Sequence, residues 1–194
     1  MASRLPLVLG TNGLGQQVQA ADYVPISGIR FNQSVTSQTG FAADTVLAGS
    51  SIAIPTGSLK AGTRYRCLFD VTKTAAGIAT PILNIRFGIN GTAADTSRGA
   101  LTFAAQTAVI DAGTIELLAT FRVVGASGVL QTMARLSHGL SITGLSTEVS
   151  PIRLATSGAF DTTVASSFLT LTVNGGASAA WTVQLVQATL ENLV

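Results

Sequence analysis

A chain of 194 residues suits one packed domain with a short extension, and its single cysteine, Cys67, excludes an intrachain disulfide. Only 10% of the residues are charged, against roughly 25% in an ordinary soluble domain, while the hydrophobic share is an unexceptional 47%. The net charge is +2, yet Arg4, Arg30, Arg86, Arg98, Arg122, Arg135 and Arg153 are scattered singly, only Lys60, Arg64 and Arg66 lie close together, and no aromatic platform accompanies them, so no nucleic-acid groove is expected.

What is missing is charge, and Ala, Ser, Thr, Gly and Gln fill its place. Such a surface costs little to strip of water, which suits extensive subunit contact. The alternative is a neutral, Thr-rich β protein without a partner.

In chain order, the first 45 residues stand apart. Leu5, Pro6, Leu7, Val8 and Leu9 make a short apolar segment, closed by Gly10, Asn12-Gly13 and Gly15. Neither helical nor strand periodicity lasts from there to Gly40. Residues 1–45 are therefore read as an extended N-terminal arm and linker, with Leu5 to Leu9 as its candidate partner contact; a first strand tucked into the main domain is the alternative. The opening is too weakly apolar for a signal peptide and no later run reaches the ~18 residues that span a bilayer, so assembly in the cytoplasm is expected, with no membrane partner.

From residue 46 onward the pattern has period two. Tyr65, Cys67, Phe69 and Val71 face one way, with Arg64, Arg66, Asp70 and Thr72 opposite. Leu83, Ile85, Phe87 and Ile89 repeat the device, as do Ile115, Leu117, Ala119, Phe121 and Val123. Each run predicts a half-buried antiparallel strand. Further strands are predicted at 51–54, 107–111, 129–137, 152–156, 168–174 and 180–190. Turn chemistry separates them, as at Asn90-Gly91 and Asn174-Gly175-Gly176. In the last strand Trp181, Val183 and Leu185 share one parity and Val186, Ala188 and Leu190 the other, so a β-bulge is expected near Leu185-Val186. The fold class is all-β: residues 46–194 form an antiparallel, jelly-roll-like β-sandwich behind the arm.

Chemistry is hard to find. The sole histidine, His138, stands beside Ser137 at a strand end, where a solvated or packing role is expected. There is no G-x-S-x-G elbow, phosphate loop or H-E-x-x-H helix. One histidine and one cysteine cannot close a tetrahedral metal shell. The carboxylates are dispersed, and Cys67 sits in a buried register. No catalytic, cofactor-binding or metal residues are expected, and no enzymatic activity.

Several segments carry a resemblance. Gly62-Thr63-Arg64-Tyr65-Arg66 running into residues 70–81, Arg86-Phe87-Gly88 with Ala94-Asp95-Thr96, Gln106-Thr107-Ala108-Val109, Phe160-Asp161-Thr162-Thr163 and residues 175–183 resemble a family of small tailed-phage and prophage virion structural proteins. Arg4-Leu5-Pro6-Leu7-Val8-Leu9 looks like openings found on phage tail-fibre and capsid-associated proteins. The resemblance covers most of the chain from about residue 46 and this shorter opening stretch. It implies a jelly-roll-like domain on a mature virion, often trimeric, and supplies no catalytic residues. The role expected is a capsid decoration or cement protein in the virion, contacting the major capsid protein or other virion subunits and forming a homotrimer. The alternative is a tail-fibre, head-fibre or receptor-binding component that reads host glycans. Size favours decoration, because no repeat or heptad run is present to build a fibre shaft. So does the shortage of aromatics for a sugar site.

Overall fold

The structure, a computed structural model, describes the backbone at 7–9 and 15–17 and whole residues at 28–176 and 180–194. Its strands are β1 (Leu7–Leu9), β2 (Gly15–Gln17), β3 (Ile29–Ser34), β4 (Thr45–Val46), β5 (Ile52–Ala53), β6 (Arg64–Lys73), β7 (Ile82–Gly88), β8 (Thr96–Thr102), β9 (Asp111–Val123), β10 (Val129–His138), β11 (Ile152–Thr156), β12 (Phe168–Asn174), β13 (Trp181–Thr182) and β14 (Val186–Glu191). Among the described residues they make a seven-stranded sheet in the order β11-β10-β9-β6-β14-β3, with β13 also on β6. A five-stranded sheet runs β4-β12-β7-β8, with β5 also on β12. Every pairing is antiparallel, and the two sheets form a jelly-roll-like β-sandwich.

The core follows from the alternation. On β6 the side chains of Tyr65, Cys67, Phe69 and Val71 are buried, and on β9 those of Ile115, Leu117, Ala119 and Phe121. Leu83, Ile85 and Phe87 answer them from the small sheet, with Phe87 and Phe121 edge to face at 6.2 Å between ring centres. Trp181 is buried as expected, its Nε1–H donating to Gln106 Oε1 at 2.6 Å. Gln106 in turn donates from Nε2 to the carbonyls of Ala79 and Gly175 at 2.9 and 2.6 Å, so the polar end of the indole is fully satisfied.

The expected slip in the last strand is present. Thr182 lies opposite Thr72 and Val186 opposite Phe69, so one strand advances a residue further than its neighbour. Asp70 fills the gap: its Oδ1 accepts the N–H of Gln184 and of Leu185 at 2.9 and 2.8 Å. Val183 and Val186 are both buried across the break, whereas Leu185 turns out.

Four expectations need correction. The arm does not run to residue 45, because Ile29–Ser34 pairs with Val186–Glu191 as an edge strand and Phe41 is buried in the core. The alternation of β3 hid it, since the polar Arg30, Asn32 and Ser34 share the face of buried Val186, Ala188 and Leu190, and the apolar Ile29 and Phe31 face out. Residues 107–110 are a loop rather than a strand. Ile89 and Val123 are 59% and 47% exposed: β7 ends at Gly88, and Val123 lies beyond the register shift at Val129/Leu130. Finally, β8 was not foreseen, because its inward positions include Gly99, which carries no apolar signal; a Cβ there would meet Thr132 Oγ1 at 3.0 Å.

Candidate functional site

Of the candidate contact residues, Leu5 and Pro6 lie outside the described residues. Leu7, Val8 and Leu9 form β1, which pairs with Gln17, Gln16 and Gly15 in a separate two-stranded sheet.

The broadest candidate surface is the outer face of the large sheet. Register fixes its composition. One row across the strands runs Leu154, Met133, Leu118, Arg66, Thr189 and Phe31, and the next runs Ile152, Arg135, Glu116, Leu68, Gln187 and Gln33. The centre carries ion pairs, Arg66 Nε to Glu116 Oε1 at 2.7 Å and Arg64 Nη2 to Glu191 Oε2 at 2.8 Å. Arg64 holds the Glu191 carboxyl below its usual range, against the opposing effect of burial. Both rims carry exposed large apolar side chains. Phe31 is 56% and Leu154 67% exposed, on edge strands whose outer backbone groups pair with no described strand.

The outer face of the small sheet is organised differently. Arg86 reaches Asp44 with Nη2 and Thr172 Oγ1 with Nε, the latter at 2.9 Å. Asn84 donates to the other oxygen of Asp44 at 3.0 Å, and Ser97 to Asn84 at 3.2 Å. Thr170 and Thr172 are completely buried beneath this web. Burial works to raise the Asp44 pKa, but hydrogen bonds from Thr172, Asn84 and Arg86 outweigh it and hold the carboxyl below the usual range.

At one end of the sandwich lies a buried charged cluster. Lys73 ends the inward parity of β6, opposite Asp111. Its Nζ donates to the carbonyls of Thr74, Thr107 and Val109 at 2.8, 2.7 and 3.1 Å, and burial lowers its pKa against the pull of Asp111. Asp111 accepts the N–H of Leu145 and of Ala112 and faces His138 Nδ1 at 3.0 Å. Burial works to raise its pKa, and those hydrogen bonds prevail and lower it. The other ring nitrogen of His138 meets the Glu148 carbonyl at 2.9 Å. Both ring nitrogens are thus engaged by oxygen atoms of the surrounding chain.

This Asp–His pair is a clamp on the loop 139–151. The nitrogen that would address a nucleophile is occupied by a backbone carbonyl. Cys67 is far away in the core, its thiol pushed up to about 12 by burial. Among the described residues no group of three His, Cys, Asp or Glu side chains converges as metal ligands. The sequence left one clue to the cluster, a lysine on the apolar parity of a strand, which demands buried acceptors. Asp111 and His138 lie too far apart in sequence to announce themselves.

Solved structures with similar arrangements include the CBM2 module of the evolved Dit of Lactobacillus casei BL23 phage J-1, with a TM-score of 0.35 and 11% identity, covering 89% of this chain and 94% of that one. The metal-free lectin I-B4 of Griffonia simplicifolia also has a TM-score of 0.35, at 8% identity, covering 88% of this chain and 96% of that one. The structure of the Gx strain of infectious bursal disease virus has a TM-score of 0.22 at 10% identity, covering 98% of this chain and 47% of that one. No family model and no curated protein matches the sequence.

Proposed function

We propose that the chain is a structural protein of a bacteriophage particle, and within it a capsid decoration or cement protein that stabilises the head through subunit contacts. The observation that carries this reading is the outer face of the large sheet, left uncovered by the described residues and bearing exposed apolar side chains at both rims, on a chain with only 10% charged residues. Little hydration has to be removed to pack such a face against another subunit. The partners are the major capsid protein and further copies of this chain, in a homotrimer. Its work is adhesion, with no reaction catalysed. The N-terminal segment from Leu5 to Leu9 adds an anchor, each apolar side chain contributing ~1.5–3 kcal/mol on burial before the cost of ordering the chain.

Copy number tests the role. Gel densitometry of purified particles should find this protein at a sizeable fraction of the major capsid protein. Deleting residues 1–20 should abolish incorporation and leave a folded sandwich, while particles lacking the protein should lose DNA on heating and still adsorb to cells. A low copy number together with lost adsorption would instead make the chain a fibre or receptor-binding component.

A further inference from the structure

The two ends of the sandwich are chemically matched. Ile110 immediately precedes β9 and Val124 follows it, so the thirteen-residue strand sets them about 45 Å apart. At the Ile110 end two loops form an aliphatic tip. Val109 and Ile110 are 40% and 72% exposed, and Leu140, Ile142 and Val149 are 37%, 61% and 69% exposed. The one charged residue in 104–110 and 139–151 is Glu148, which is paired with Arg153 at 2.8 Å. The loops are knitted together: the Thr107 N–H donates to the Gly144 carbonyl at 3.0 Å, and the hydroxyls of Thr107 and Thr143 meet at 2.8 Å. Beneath them, Lys73 holds Thr107 and Val109, and Asp111 holds Leu145. The tip is thus fixed before it meets anything, which spares a partner the cost of ordering it.

The opposite end holds a cavity of about 310 Å³, lined by apolar residues such as Ile54, Leu59, Val124 and Val164 together with the hydroxyl residues Thr162 and Ser167, and by no charged residue. Backbone strain marks both places. Among the described residues three that are not glycine have positive φ, and two of them are Ile142 at 50°, in the tip, and Ser166 at 55°, beside the cavity. A β-branched residue is strongly disfavoured there. Ile142 thus combines a strained backbone with an exposed side chain.

We infer that copies of this chain join head to tail, the aliphatic tip of one seated in the uncharged cavity at the far end of the next. The inference rests on the packing role proposed above. A membrane is a poor occupant for the tip, whose loops offer no Lys, Arg, Trp or Tyr. A polyanion would find no cation in these loops, and a glycan no aromatic face. An apolar protein recess fits, and the chain supplies one. Such a heterologous contact closes into a ring where the rotation allows, or grows as a stack.

Sedimentation velocity of the full-length protein at micromolar concentrations tests this with two variants, Ile142→Asp in the tip and Val164→Asp in the cavity. The wild type should associate, and each variant should weaken association by about tenfold or more, as for the centre of an interface. An equimolar mixture of the two should recover one contact and stop at a heterodimer, because one tip and one cavity remain intact. Ile142→Asn guards against misfolding. Asparagine tolerates positive φ, so this variant should melt higher than wild type and still lose association. Loss of association in the tip variant with none in the cavity variant would overturn the head-to-tail contact, as would a mixture that stays monomeric. A wild-type monomer that is nevertheless incorporated into particles would overturn the inference and leave the packing role standing.

Discussion

The two outer faces of this sandwich use the same ion pair in opposite ways. On the small sheet, Arg86 and Asp44 have side chains only 14% and 30% exposed, and their remaining valences go to Asn84, Thr172 and the Asp95 carbonyl. That face has already found its partners within the chain. On the large sheet, Arg66 and Glu116 are 48% and 31% exposed and stand beside Leu68, Leu118 and the open rims. The contrast is in the guanidinium, which on Arg66 stays half open and can be covered by a second protein. A polar surface is therefore not by itself a free one, and the difference lies in whether the chain satisfies its own groups.

The comparison can be broken by mutation. The core beneath both faces sets the scale. Phe121→Ala should cost about 3–5 kcal/mol by opening a cavity against Phe87, read from the denaturant midpoint. Arg86→Ala should cost about 2–3 kcal/mol, below the figure for a fully buried pair because Asp44 keeps some solvent. Acid should act in the same direction. Asp44 is held below the usual carboxylate range in the folded state, so its contribution is complete above the unfolded value near pH 4 and is lost as pH falls through the lower folded value. Thermal melts of wild type and Asp44→Asn should diverge above that window and converge below it. Arg66→Ala should cost no more than about 1 kcal/mol, and less in high salt, because its pair is solvated. Arg122→Ala, outward on β9, should stay within about 0.5 kcal/mol. Equal losses for Arg86→Ala and Arg66→Ala would erase the distinction between the faces.

Alternation made the central strands legible. The ranges 152–156 and 168–174 coincide with β11 and β12, and the parity switch at 185–186 marked a real bulge. Where the inward positions are Gly99 or the polar Arg30 and Asn32, the same rule fell silent, and β8 and β3 went unseen or were assigned to the arm. The candidate contacts were less visible still. The rows on the open face join residues from six strands, so they exist only once register is known. Missing charge announced a sticky surface without locating it.

The direct test is hydrogen–deuterium exchange on the free protein and on purified particles that contain it. The account predicts slower exchange in the particle for the edge strands β3 and β11, whose outer amides lack a described strand partner, and little change in β7 and β12, already paired and covered. Equal exchange of β3 and β11 in both states, or protection confined to the small sheet, would contradict it.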